Sequence, residues 1–321
     1  MELFHGVNID WLKLKWYFLS FSLIFSVAGV IAMGTNMARI HSPIILGVDF
    51  QGGTQVEVKF DQTPNAEEVR QATRAAGIKD AKITTFGAAS GNEMLISLPE
   101  QHEESALDQG QAQVVNALSA HYGTHFEVRN RSVVGPTVGK QLEKQAGLAT
   151  LYSLCGMLVY LWFRFQLIYG VAAVVAVFHD TLITIGAFAL TGQEISLTVI
   201  AAILTLIGYS MNDTIVVFDR IRENLRLSRR ESLPDVVNRS INQTLSRTVL
   251  TSGLTFLTVL SLYIFGGPVL RPFSFALVIG ILIGTYSSIA IAAPMLVAWQ
   301  EWRAKKAGTV TALPAAKRAR T

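Results

Sequence analysis

The sequence predicts a polytopic α-helical membrane protein that carries one small α+β domain between its first and second spans. Three observations predict it. Six apolar runs are each roughly twenty residues long, enough to cross a bilayer as a helix. One polar stretch, residues 39–145, interrupts them with short alternating runs. The lysines and arginines of the short loops gather on one side of the resulting layout. Half of the 321 residues are hydrophobic and 16% are charged. That balance is too apolar for an ordinary soluble protein.

Residues 1–15 are short and mixed. The first run, Trp16–Met37, follows Lys13 and Lys15, and Trp11, Trp16 and Tyr17 flank its start as interfacial aromatics do. It is too long for a signal h-region and lacks a small-x-small exit, so it reads as a retained anchor. In the polar stretch, Gln55–Phe60 (QVEVKF) alternates with period two and predicts a strand. Asn65 can cap a helix over Ala66–Ala76, with Glu68 at the capping-box position and Gly77 ending it. Ala81–Phe86 and Glu93–Leu98 predict strands joined around Gly87–Asn92. Ser105–Ala120 predicts a helix and Phe126–Val134 a last strand. The order β-α-β-β-α-β is the ferredoxin-like split arrangement.

Gly135-Pro136-Thr137-Val138-Gly139 punctuates the return to the membrane. Five further runs follow: Ala146–Phe163, Leu167–Leu190, Ile195–Phe218, Thr248–Phe265 and Phe273–Trp299. The expected division is 1–38 (N-terminal segment and first span), 39–145 (outer domain), 146–302 (five-helix bundle) and 303–321 (basic tail). With the N-terminus inside, the inner segments hold Lys13, Lys15, Arg164, seven arginines from Arg220 to Arg247 and six basic residues after Trp302. The short outer loops hold only Arg271. This bias predicts cytoplasmic termini and an extracytoplasmic domain. The tail from Lys305 reads as solvated and topology-fixing.

The stretch Ile195–Arg222 organises the chain. It carries Tyr209, Ser210, Asn212 and Asp213 inside an otherwise apolar run. A carboxylate at that depth costs roughly 2.5–3.5 kcal/mol on insertion scales, so it normally faces protein or water and marks an ion or proton path. Asp180, beside His179 in the preceding span, and Arg247, where the fifth run begins, are the other ionisable positions. Paired with Arg247, a buried Asp213 stays ionised; without a partner it takes a proton. Cycling between these conditions would move helices, because breaking a buried pair costs several kcal/mol. The bland readings are a structural hydrogen bond for each aspartate, a snorkelling Arg247 and a packing role for His179.

Several classes drop out. Cys155 stands alone in an apolar run, so there is no disulfide framework. No metal-ligand cluster, phosphate loop or nucleophile-base pattern is present, so neither a cofactor nor an enzyme is expected.

Five segments together resemble the SecD/SecF family of bacterial protein-export membrane subunits, within the RND superfamily. They are Gly47–Thr54 (GVDFQGGT), Val134–Gly139 (VGPTVG), Phe178–Gly186 (FHDTLITIG), Ile207–Asn224 (IGYSMNDTIVVFDRIREN) and Ser246–Thr255 (SRTVLTSGLT). The resemblance covers the SecF half. It implies that the chain works with a separate SecD beside the SecYEG channel of the inner membrane, with YajC and YidC as further neighbours. The proton motive force would then help draw a preprotein out after the SecA ATPase has pushed it in. It implies proton-coupling roles for Asp213 and Arg247, with Asp180 of the third-span motif as a further proton-coupling candidate, and maps the Gly-Gly signature, a turn or hinge between the first helix and the outer domain, to Asp49, Phe50, Gly52 and Gly53. It implies no cofactor and no nucleic-acid partner. Two other readings remain open at this point: an RND-like exporter of lipids or small molecules, and an intramembrane aspartyl protease using Asp180 and Asp213. The latter lacks the Tyr-Asp and Gly-x-Gly-Asp patterns.

Overall fold

A computed structural model describes residues 8–78, 81–86, 92–98, 104–165, 167–228 and 231–306. The expected Gly87–Asn92 connection, Arg229, Arg230 and the tail beyond Lys306 therefore lie wholly or mostly outside the described residues. Among the described residues, six helical segments are long and apolar enough to cross a membrane: Lys15–Ile40, Pro136–Arg164, Leu167–Thr191, Leu197–Leu227, Leu233–Phe265 and Val269–Arg303. The first five are α1, α5, α6, α7 and α8. The sixth is α9 (Gly267–Ser287), a π-helical turn (Ser288–Ala292) and α10 (Ala293–Lys306), run together.

Hydropathy located the spans but not their ends. Helix α5 begins at Pro136, whose ring is suited to the first helical turn, rather than at Ala146. Helix α8 begins at Leu233, capped by Ser232, and not at Thr248. Its first half is amphipathic and escapes an apolar count: Val236, Val237, Ile241 and Leu245 are buried while Arg239 pairs with Glu231 at 2.7 Å. The N-terminal segment lies on this half. Trp11 donates its indole N–H to Asn242 Oδ1 at 3.1 Å, and the Leu12 amide donates to Asn238 at 3.1 Å. The start of α1 and the start of α8 thus share one side.

Between α1 and α5 lies a four-stranded antiparallel sheet in the order β3-β4-β2-β5, with β2 Gly53–Phe60, β3 Lys82–Phe86, β4 Glu93–Leu98 and β5 Phe126–Val134. Helices α3 (Ala66–Ala75) and α4 (Glu104–Tyr122) supply the other layer. Period-two alternation puts Val56, Val58 and Phe60 of β2 into one core with Val69, Met94, Ile96, Val114 and Leu118. Asn65 accepts the Glu67 amide as its cap, and Gly77, at φ +86°, ends α3.

The short elements around the Gly-Gly signature were not foreseen. Strand β1 (Ile45–Leu46) pairs in parallel with β6 (Glu194–Ile195), the link between α6 and α7. Helix α2 (Val48–Gln51) follows, and its Phe50 is buried in the bundle core.

Candidate functional site

Helices α6, α7, α8 and α9 meet closely because small residues line their contacts. A Cβ built on Gly284 of α9 would lie 2.9 Å from Ser210 Cβ of α7. One on Gly280 would lie 2.5 Å from the Leu206 side chain. Likewise, a Cβ on Gly186 of α6 would stand 2.8 Å from the Gly29 Cα of α1. Such approaches bring backbones near enough for short hydroxyl side chains to bond across helices.

Two carboxylates sit in this interior, 1% (Asp180) and 2% (Asp213) exposed. Each has its own set of partners. Asp180 Oδ2 accepts hydrogen bonds from Ser210 Oγ of α7 at 2.5 Å and Ser287 Oγ of α9 at 2.8 Å. Its Oδ1 stands 2.9 Å from His179 Nδ1. The other ring nitrogen of His179 lies 2.7 Å from Ser22 Oγ of α1. With Nδ1–H donating to the carboxylate, neutral His179 accepts from Ser22. Tyr286 closes this edge by donating to the Phe18 carbonyl. Asp180 thereby ties α1, α6, α7 and α9 into one polar knot.

Asp213 is held more lightly. Its Oδ2 accepts from Ser252 Oγ of α8 at 2.8 Å and, at 3.5 Å, from Thr285 Oγ1 of α9. Arg247 is exposed on α8, a little over one turn before Ser252. Among the described residues, the hydrogen bonds of Asp213 run to hydroxyls and not to that guanidinium. The hydroxyls of Tyr209, Thr214 and Thr248 are buried nearby in sequence with no hydrogen-bond partner, so the same helices keep spare polar capacity.

The supporting polar residues of α7 divide. Ser210 serves Asp180 and not Asp213. Tyr209 packs against the apolar core. Asn212 faces outward, exposed. Sequence reading missed Ser252, Thr285, Ser287, Ser22 and Tyr286. The available signal was the run Thr285–Ser288 (TYSS), which leads into the π-helical turn Ser288–Ala292. A π-turn leaves the α-helical bonding frame and is common at functional sites.

The Gly-Gly signature sits at the starts of α5 and α7. Asp49 Oδ2 accepts the backbone N–H of Leu197 at 2.8 Å, the first residue of α7. The α7 N-cap residue, Ser196, makes no side-chain cap bond, so Asp49 supplies it from across the fold. Gly52 has φ +76°, and a Cβ there would stand 2.9 Å from Pro136 Cα. A Cβ on Gly139 would stand 2.7 Å from the Phe50 carbonyl oxygen. The signature is thus a clasp that presses α2 onto the start of α5 and caps α7. No group of three or more His, Cys, Asp or Glu side chains among the described residues could hold a metal.

Comparisons with known proteins agree with this architecture. The family "Protein export membrane protein SecD/SecF, C-terminal" matches residues 114–302, and the "SecD/SecF GG Motif" matches residues 40–64. A protein translocase subunit SecF of Koribacter versatilis is 55% identical, covering 98% of this chain and 96% of that protein. One from Desulfurispirillum indicum is 44% identical, covering 91% and 92%. The crystal structure of SecDF, a translocon-associated membrane protein from Thermus thermophilus, superposes with a TM-score of 0.80 at 37% identity. It covers 92% of this chain, which spans only 39% of that longer one. The chain is therefore a multi-pass membrane protein and belongs to the SecD/SecF family of protein-export membrane proteins.

Proposed function

We propose that this chain is the SecF-type subunit of the bacterial protein-export machinery. It pairs with a separate SecD beside the SecYEG channel and uses the proton motive force in late translocation of a preprotein. The curated SecF subunits, matched over 96% and 92% of their own length, support a SecF-type subunit. Asp213, with Arg247, is the proton-coupling group; Asp180 anchors the bundle behind it. YajC and YidC are further neighbours on this reading. Residues 39–145 form a ferredoxin-like domain outside the inner membrane, between 1–38 and 146–302, with both termini and 303–321 in the cytoplasm. The sheet order β3-β4-β2-β5 supports the first part. The arginine-rich ends of α5 and α7, on the side opposite the Asp49 clasp, support the second.

The observation that carries the reading is Asp213. It is an ionisable group 2% exposed within a span, and its hydrogen bonds are to neutral hydroxyls only. A carboxyl so placed can exist in either protonation state with little rearrangement of its donors. Each proton crossing supplies roughly 2.3 kcal/mol per 100 mV. The separate partner sets of Asp180 and Asp213 argue against a protease, whose dyad shares one proton between two carboxyls.

The test is gradient-dependent export in proteoliposomes holding SecYEG, SecD and this chain. Asp213→Asn and Arg247→Met should each abolish stimulation by the proton gradient while inserting normally. Full stimulation in both variants would defeat the coupling role.

A further inference from the structure

A cavity of about 900 Å³ opens where the inner ends of α5, α7 and α10 meet the starts of α6 and α8. Four arginines from three helices line it: Arg164 ends α5, Arg222 and Arg226 lie in the last turns of α7, and Arg303 is on α10. Two of them are held side by side. Arg222 donates to the Arg164 carbonyl at 3.2 Å, and both guanidiniums lie over the Phe165 ring, at 5.2 Å and 5.9 Å. Asp219 pairs with Arg164 at 3.4 Å, across an exposed contact. The named charges still leave an excess of three positives, four minus one, around a single opening.

The remaining wall is of the opposite character. Phe163, Leu225 and Leu296 are apolar, Phe163 being 95% exposed, and Trp299 stands among them as an interfacial aromatic does. Guanidiniums bind phosphate oxygens in a fork geometry. Apolar side chains at the same opening, at the end of membrane spans, suit acyl chains.

We propose that this cavity is a binding site for an anionic phospholipid of the leaflet on the arginine-rich side. The phosphodiester headgroup sits among Arg164, Arg222, Arg226 and Arg303, and the acyl chains run down past Phe163 and Leu296. A free phosphate would use the arginines but not the apolar wall, and a zwitterionic lipid the wall but not the excess charge. The site is independent of the proton pathway, since none of its residues bonds to Asp180 or Asp213.

The test is native mass spectrometry of the full-length chain in detergent, titrated with cardiolipin, phosphatidylglycerol, phosphatidylethanolamine or inorganic phosphate. Cardiolipin or phosphatidylglycerol should be retained, and less so as salt rises. Arg226→Gln with Arg303→Gln should weaken retention roughly 30-fold, at about 1 kcal/mol per basic residue. Arg226→Lys with Arg303→Lys should restore most of it. Unchanged retention in the Gln pair, insensitivity of the wild-type chain to salt, or equal retention of phosphatidylethanolamine or phosphate would each overturn the proposal. The salt series needs only the wild-type protein, so a poorly folded variant leaves it decisive.

Discussion

Asp180 and Asp213 are one residue type in one bundle, yet their surroundings assign them different work. Asp180 has three donors on three helices, counting His179, Ser210 and Ser287. Removing it takes an acceptor from all three, with only Ser287 keeping another, the Gly284 carbonyl at 3.1 Å, and each unsatisfied buried group costs about 1–3 kcal/mol. Asp213 has one short bond and one long one, at 2.8 Å and 3.5 Å. Asp180→Ala should therefore lower the thermal unfolding temperature in detergent far more than Asp213→Ala. Export should rank the other way among protein that remains folded. Equal destabilisation by the two would show that Asp180 is no knot. Outside the bilayer, Glu57 of β2 is the carboxyl whose ionisation the fold resists: partial burial pushes its pKa up, Glu93 adds to this, and Arg129 opposes. A pKa above the ordinary 4.5 in the fold means that the ionised form costs stability. Stability from this group is then greatest below 4.5 and falls as pH rises through the higher folded value. Glu57→Gln should remove that slope and stabilise the α+β domain at neutral pH, as read by hydrogen exchange of the β2–β4 amides. No change in their protection at neutral pH would contradict it.

At the scale of elements, the clasp formed by β1, α2 and β6 matters because it joins the α+β domain to the helix that carries Asp213. The Asp49–Leu197 bond makes the α7 N-terminus depend on a side chain 148 residues away. Removing such a cap costs about 1 kcal/mol, and a shift in α7 would be felt along its axis at Asp213. Asp49→Ala should raise hydrogen exchange at Leu197–Ile200 and lower gradient-stimulated export several-fold, while Asp49→Asn, which can still accept the bond, should remain near wild type. Exchange unchanged in the alanine variant would show that the cap does not hold the helix. This clasp also shows where sequence reading ends. A span is a local property, and twenty apolar residues announce it. The strand QVEVKF and the Asn65 cap are equally local, and the structure has both. The Asp49 cap, the Gly29–Gly186 contact and the Ser287–Asp180 bond join distant positions, and no local pattern encodes them. Asp213 was legible because a charge in a span is anomalous. Ser252 and Ser287 were not, because hydroxyls in spans are ordinary packing residues. The first half of α8 was hidden for the converse reason, its buried face being too narrow to register as apolar.

As a whole, the molecule presents two kinds of membrane surface. Helices α1 and α5 expose large apolar and aromatic side chains, such as Leu23, Ile24, Leu151, Val159 and Trp162, which suit lipid. Helix α8 exposes Arg247, Thr251, Leu254, Thr258 and Ser261 as one helical stripe beside the apolar Leu257, Ile264 and Phe265, and α7 exposes Ala201, Thr205, Gly208 and Asn212 in the same manner. Polar and small residues on a span are characteristic of helix–helix contact in membranes. Hydroxyls aimed at acyl chains gain nothing there, even though Thr251 and Thr258 also bond their own helix. A second bundle seated on the α7–α8 face would bring Asn212 and Arg247 to the boundary between the two. With exposed Cys155 replaced by serine, a cysteine at Thr205 or Thr258 should crosslink to a co-expressed SecD under mild oxidation. A cysteine at Leu151 or Val159 should not, although both are equally exposed in the isolated chain. Crosslinks from α5 in place of α7 and α8 would move the partner to the other face of the bundle. Arg247 would then stand toward lipid.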